Sequence, residues 1–164
     1  QAPSEADLVW LLSSGSQSVQ SVKAIGLTRQ AIESSAAAVN RHIRASSADR
    51  WLVALPEYHI GGFAIGVRAS LSRSKVFRLP KWNVKAFVQA VVRDKITLTS
   101  LVPTQVYDLV SQEVKCPPHL RAIVVGGGAL SSDLYWQARA LGWPVLPSYG
   151  MTEAASQVAT APLS

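Results

Sequence analysis

The sequence predicts an α/β fold, a mostly parallel sheet flanked by helices. Two observations predict it. Short apolar, β-branched runs alternate with amphipathic stretches along the 164 residues. Strands separated by helix-length segments need crossover connections, and crossovers make neighbouring strands parallel. Secondly, glycine- and serine-rich segments follow several of the apolar runs, as happens where strand ends gather at a ligand-binding edge. The composition agrees: 48% hydrophobic and 16% charged residues suit a packed domain, and the length suits a single one.

Residues 7–13 (DLVWLLS) read as a buried strand. Residues 27–45 read as a helix with Thr28 as N-cap. Its apolar positions Ile32, Ala36, Val39 and Ile43 fall on one helical face. Residues 51–55 form the next strand, ended by Pro56, and residues 61–71 a helix entered through Gly61-Gly62. Residues 75–79 are a short strand. Asn83 caps a helix that sets Val84, Phe87, Val88 and Val91 on one side. The β-branched residues 96–102 are a strand, and Pro103-Thr104 open a helix carrying Val106, Leu109 and Val110. Residues 120–125 are a strand ending in three glycines. Ser131 or Ser132 then starts a helix with Leu134, Ala138 and Leu141 inward, stopped by Gly142. Residues 145–148 are the last strand, followed by the polar loop Tyr149-Gly150-Met151-Thr152-Glu153. There is no internal repeat and no low-complexity segment, and nothing divides the chain into two domains.

Charge and cysteine usage limit the function classes. The formal net charge is +6. It reads either as the surface of a piece of a larger protein or as attraction for nucleotide and coenzyme A phosphates. The basic residues are scattered, with no aromatic–basic face of the kind that binds nucleic acid. A single cysteine, Cys116, excludes an internal disulfide and fits a reducing, cytoplasmic compartment. No apolar run approaches the roughly 20 residues of a membrane span, and no signal peptide is visible. The chain starts at Gln1, so it need not begin at a natural start. Oligomeric state is not written in the sequence.

Four polar loops follow predicted strands and are expected to converge on one sheet edge. The first, from Ser13, Ser14, Gly15 and Ser16 to Lys23, could wrap phosphates with N–H and O–H donors, or could be a plain polar loop. It is not the GxxxxGK[ST] phosphate loop. The second carries His59 beside Tyr58, ahead of Gly61-Gly62; a lone histidine can equally be a packing or capping residue. The third, Gly126-Gly127-Gly128, either lets a flat ring approach the backbone or is a tight turn. The fourth runs from Ser148 to Glu153. Arg68, in an otherwise apolar helix, either faces the ligand edge and pairs with a carboxylate or is a surface charge. His42 and His119 read as surface residues, and no histidine pair has metal-ligand spacing.

Taken in order, these segments resemble the acyl-adenylate-forming ligases, the superfamily of acyl-CoA synthetases, luciferases and peptide-synthetase adenylation domains. SYGMTE (148–153) carries most of the resemblance. LPEYHIGG (55–62), LVPT (101–104) and RAIVVGGGAL (121–130) add to it, and together they cover nearly the whole chain. Within the superfamily the sequence most resembles the o-succinylbenzoate–CoA ligases of menaquinone synthesis. HIGG followed by Arg68, the compact helix–strand spacing, and SYGMTEAASQ with Thr160 carry that choice.

The resemblance implies ATP and Mg2+ as cofactors and coenzyme A as co-substrate, with a small carboxylic acid as substrate. It implies that Ser13, Ser14, Gly15, Ser16 and Lys23 bind phosphate. Gly126, Gly127 and Gly128 would wall the adenine slot opposite Tyr149. Thr152 would contact phosphate and Glu153 would hold magnesium. His59 would stand between acyl group and adenylate. Arg68 would meet a substrate carboxylate, and Ser148, Gly150 and Met151 would flank the acyl group.

Two departures qualify it. The family's first loop reads like SSGTTGxPK; here Gln17-Ser18 replaces the threonine–glycine pair and Lys23 comes about two residues late. That is expected to loosen the grip on pyrophosphate. The family also places a ribose-binding aspartate, a hinge and a small lysine-bearing domain downstream, and a longer segment upstream. The 164 residues therefore read as a core fragment, expected alone to show little or no ligase turnover. The alternative is a degenerate, non-catalytic nucleotide-binding or interaction domain of the same fold. An unrelated doubly wound nucleotide-binding protein would require the SYGMTE and triple-glycine loops to be coincidence.

Overall fold

A computed structural model describes residues 8–14 and 22–163. Among them, strands β3 (Arg50–Val53), β4 (Lys75–Arg78), β5 (Leu98–Leu101), β6 (Ala122–Val125), β7 (Val145–Met151) and β8 (Ser156–Thr160) form one sheet. Its order is β4-β3-β5-β6-β7-β8. Every pairing from β4 to β7 is parallel, and β8 closes the edge antiparallel to β7. The fold class is the one read from the sequence.

The inner parallel strands β3, β5 and β6 bury both faces, which explains why their runs are largely apolar, whereas β4 at the edge begins and ends with the exposed Lys75 and Arg78. Alternate residues feed two cores. Trp51, Val53, Leu98, Ala122, Val124 and Leu146 meet Val39 and Ile43 of α1 (Arg29–His42) and Ile65 and Ala69 of α2 (Ile60–Ser72). Leu52, Leu101, Ile123, Val125 and Val145 point the other way. They meet Phe87 and Val91 of α3 (Val84–Arg93), Val106 and Leu109 of α4 (Pro103–Ser111) and Ala138 of α5 (Ser132–Ala140).

Three caps read from sequence are present. Thr28 Oγ1 accepts from Ala31 N at 3.1 Å, Asn83 Oδ1 from Ala86 N at 3.0 Å, and Ser131 Oγ from Leu134 N at 3.2 Å. Asn83 starts the helix that inserts Phe87 into the core. We expect Asn83→Ala to cost about 1 kcal/mol of unfolding free energy and Asn83→Gly only a few tenths, measured by urea titration. Equal losses in the two variants would disprove a capping role.

Three sequence expectations need correction. The run at 7–13 is not a buried strand of the sheet. It is β1 (Leu8–Ser14), paired antiparallel with β2 (Val22–Thr28) in a separate two-stranded ribbon. Only one face of β1 is covered: Leu11 is buried while Trp10 and Leu12 are exposed. Leu27 thus lies within β2 rather than starting a helix, and α1 begins after Thr28. Next, 149–151 are not a loop. β7 runs on through Met151 because β8 supplies its missing partner. A short 3-10 turn at Thr152–Ala154 joins the two. Last, His119 is half-buried, its Nε2–H donating to Val91 O at 2.8 Å, whereas His42 is exposed as expected and donates to Ala161 O.

The ribbon is not remote from the sheet edge. Leu11 and Leu27 share a small core with Ile32 of α1 and with Ala155, the residue after the turn. No helix among the described residues is long and apolar enough to cross a membrane.

Candidate adenylate site

A cavity of about 350 Å³ opens at the carboxyl ends of the strands. Its position follows from the topology. From β3 the chain crosses to β4 on one side of the sheet, then returns to β5 on the other. Helices on opposite faces leave a crevice at such a switch point, where α/β sheets bind ligands.

Five segments supply the walls. Leu55, Pro56 and His59 follow β3, and Gly61, Gly62 and Arg68 come from α2. Ser100, Leu101 and Val102 end β5, and Gly126 and Gly127 end β6. Ser148, Gly150, Met151, Thr152, Ser156 and Gln157 complete it from the β7–β8 corner.

Local packing fixes these walls. The buried Gln105 takes the Val102 N–H on its Oε1 at 3.1 Å and gives its Nε2–H to Ala54 O at 3.1 Å, tying the end of β5 to that of β3. α2 lies directly on the segment after β3: a Cβ at Gly62 would stand 2.3 Å from Pro56 O. Ser148 Oγ donates to Val125 O at 2.9 Å, and a Cβ at Gly126 would meet that oxygen at 3.0 Å. Gly127 has φ +78°, which favours glycine.

Arg68 dominates the electrostatics. It is 1% exposed, so the surface-charge reading falls. Burial pushes the guanidinium down to about 10, which still leaves it charged at neutral pH. Among the described residues its side chain makes one hydrogen bond, Nη2 to Ser156 Oγ at 3.0 Å. No carboxylate of the described residues lies within ion-pair distance of it, and among them its buried Nε has no partner. A buried, charged, largely unpaired donor facing a cavity is the natural complement of an anionic ligand group.

The other expected residues divide. His59, Gly126, Gly127, Ser148, Gly150, Met151 and Thr152 line the cavity with Arg68. Gly128, Tyr149 and Glu153 are exposed outside its wall, Tyr149 at 64%. The His59 ring packs on Tyr58 at 4.5 Å and makes no cap bond. Ser13 and Lys23 face each other across the β1–β2 ribbon, Lys23 exposed, so this loop follows a ribbon strand and not a strand of the sheet. Ser14 ends β1, and Gly15 and Ser16 lie outside the described residues.

Sequence reasoning assigned no role to Ser100, Ser156 or Gln157, all of which line the cavity. Ser100 Oγ is buried without a partner. The available signal was hydroxyl residues next to strand ends. No cluster of three metal-ligating side chains exists among the described residues. A magnesium ion carried by nucleotide phosphates needs only one or two protein carboxylates, and the exposed Glu153 beside Thr152 meets that need. Burial pushes the Cys116 thiol up to about 12, leaving it inert as a nucleophile.

The profile of the AMP-binding enzyme family matches residues 2–164. Among characterised proteins, the 2-succinylbenzoate–CoA ligase of Bacillus subtilis is 35% identical over 112 residues, covering 68% of this chain and 23% of that protein. The Staphylococcus aureus ligase of the same name is 36% identical over 111 residues, covering 68% and 23%. The chain thus spans about a quarter of the length of the relatives it matches. The crystal structure of the Bacillus subtilis o-succinylbenzoate coenzyme A synthetase with ATP and magnesium superposes with a TM-score of 0.86. Its identity is 29%, over 93% of this chain and 32% of that one. The same synthetase with the acyl-adenylate intermediate also gives 0.86 at 29% identity, over 93% and 40%.

Proposed function

This chain belongs to the AMP-binding enzyme family, and on that premise we propose that residues 1–164 are the nucleotide-binding core domain of a cytoplasmic, ATP-dependent acid–thiol ligase. Its substrate is 2-succinylbenzoate, on the way to menaquinone. One observation carries the substrate choice: the buried Arg68 guanidinium lines the cavity with no carboxylate among the described residues to neutralise it. 2-Succinylbenzoate has two carboxylates. One is activated, and the other remains an anion for Arg68.

In the first half-reaction a substrate carboxylate oxygen attacks the α-phosphorus of ATP. The bond to the β-phosphate bridging oxygen breaks, and pyrophosphate leaves. In the second, the coenzyme A sulfur attacks the acyl carbonyl and AMP departs. Charge develops on phosphate oxygens, so the protein's contribution is donors, cations and exclusion of water. Thr152 offers its hydroxyl and backbone N–H to the phosphate, with Ser13, Ser14, Gly15, Ser16 and Lys23 around the pyrophosphate. Glu153 would hold magnesium, which supplies charge neutralisation. Gly126, Gly127 and Gly128 follow the end of the β6–β7 ladder, and together with Tyr149 they bracket the adenine. His59 stands where acyl group and adenylate meet, and Ser148, Gly150 and Met151 flank the acyl chain.

The altered first loop favours a second reading, a non-catalytic nucleotide-binding domain of this fold. Calorimetric titration with a non-hydrolysable 2-succinylbenzoyl-adenylate analogue separates the two. The enzyme core should bind it. Arg68→Met should weaken binding on the order of 100-fold, by loss of charge-assisted hydrogen bonds. Tyr149→Ala should weaken it about tenfold, by loss of stacking. No binding by the wild-type chain, or binding indifferent to Arg68, would sink the proposal.

A further inference from the structure

Ser156 occupies a backbone position that normally belongs to glycine. Its φ is +112°, and it is not a glycine. The preceding Ala155 also has positive φ, +54°, as it ends the 3-10 turn. Ser156 cannot relax, because β7 packs on its carbonyl: a Cβ at Gly150 would lie 1.9 Å from Ser156 O. Strain of this kind persists only where surrounding structure enforces it, and it gathers at functional sites. A glycine would remove the strain, so the serine side chain has a use that outweighs it.

That use is visible. Ser156 is 9% exposed, and its Oγ accepts the one hydrogen bond that the Arg68 side chain makes among the described residues. An arginine side chain has several rotatable bonds, and its guanidinium must present an N–H edge to bind a carboxylate in the forked geometry. Both ends of this arm are held. Asn40 Nδ2 donates to the Arg68 carbonyl at 2.8 Å, fixing the backbone on α2, and Ser156 fixes the tip. With Nη2 engaged, the other guanidinium N–H groups have no partner among the described residues and can meet a ligand.

We propose that Ser156 is a positioning residue that aims the Arg68 guanidinium at the free carboxylate of the acyl group, and so sets selectivity for a substrate with a second carboxylate. The proposal rests on the reading of Arg68 given above, since Ser156 acts through Arg68.

The test uses the purified chain and two non-hydrolysable acyl-adenylate analogues. One carries the 2-succinylbenzoyl group with its second carboxylate free, and the other has that carboxylate replaced by a carboxamide. Wild type should prefer the free carboxylate on the order of 100-fold. Ser156→Ala removes the hydroxyl and keeps the strain, whereas Ser156→Gly removes both. Both variants should lose about tenfold in affinity for the carboxylate analogue and less than about twofold for the carboxamide. The melting temperature of Ser156→Gly should equal or exceed that of wild type. In an Arg68→Met background, Ser156→Ala should have no further effect on either analogue. Equal weakening of both analogues would overturn the positioning role. So would a further loss in the Arg68→Met background, which would show that Ser156 contacts ligand directly. Wild type that fails to discriminate between the analogues would overturn the reading of Arg68 as well.

Discussion

Gly150→Ala should destabilise the chain by about 3 kcal/mol and abolish binding of the acyl-adenylate analogue. An added Cβ would stand 1.9 Å from Ser156 O, 2.8 Å from its carbonyl carbon and 3.0 Å from Gln157 Cα. All three are backbone atoms, so no side chain can turn aside. The ladder itself shifts register between Tyr149 and Gly150, as it must to bring two chains this close. Ser148, Met151, Thr152 and Ser156 share the corner, so moving β8 away dismantles the cavity wall. Gly66 is the control. Among the described residues nothing lies within 4 Å of a Cβ there, and it sits inside α2, so Gly66→Ala should stabilise by about 0.5–1 kcal/mol. Urea unfolding and calorimetry read both variants. A Gly150→Ala variant within about 0.5 kcal/mol of wild type would disprove the close approach.

That corner also marks where sequence reading stops. Features that depend on neighbours in the chain were legible: the caps Thr28, Asn83 and Ser131, the apolar face of α3, and the stop at Gly142, whose φ is +86°. So was the convergence of the loops after β3 and β6 with the 148–153 segment, because parallel strands carry their ends to one edge. Features that depend on distant pairing were not. β8 is a strand only because β7 lies beside it; its own residues, Ser156-Gln157-Val158-Ala159-Thr160, hardly alternate. β2 carries Gly26 within a short, mixed run and is held by β1. For Arg68, periodicity alone left open whether it met solvent or ligand. Its burial against the β7–β8 corner, 88 residues away, excludes solvent. The positive φ at Ser156 has no local signature at all.

At the opposite end of the sheet, Arg121→Met should cost about 3 kcal/mol at neutral pH, with the penalty shrinking in acid. Asp49 is 5% exposed where β3, β5 and β6 begin. Burial by itself would raise its carboxyl. Hydrogen bonds from Arg121, Thr97 and the Ser46 N–H, with the charge of Arg121, outweigh that and hold it below the usual carboxylate range. The geometry is forked: Arg121 Nε reaches Oδ1 at 2.8 Å and Nη2 reaches Oδ2 at 2.7 Å. Thr97 Oγ1 adds a bond to Oδ1 at 2.7 Å. The same guanidinium donates to Ile43 O and Arg44 O, so one side chain ties the end of α1 to the sheet. Removing it leaves a buried carboxylate without its counter-charge. A carboxyl whose folded pKa is depressed adds stability above its unfolded pKa of about 3.9. That stability is lost as pH falls through the lower, folded value. Wild type should therefore weaken on acidification below about pH 4 more steeply than Asp49→Asn, which cannot titrate there. The gap between wild type and Arg121→Met should narrow over the same range, because protonated Asp49 no longer needs the cation. Urea unfolding at pH 7, 5 and 3 measures all three proteins. A gap that stays constant with pH would show that Arg121 acts through its packing and its bonds to Ile43 and Arg44, not through Asp49.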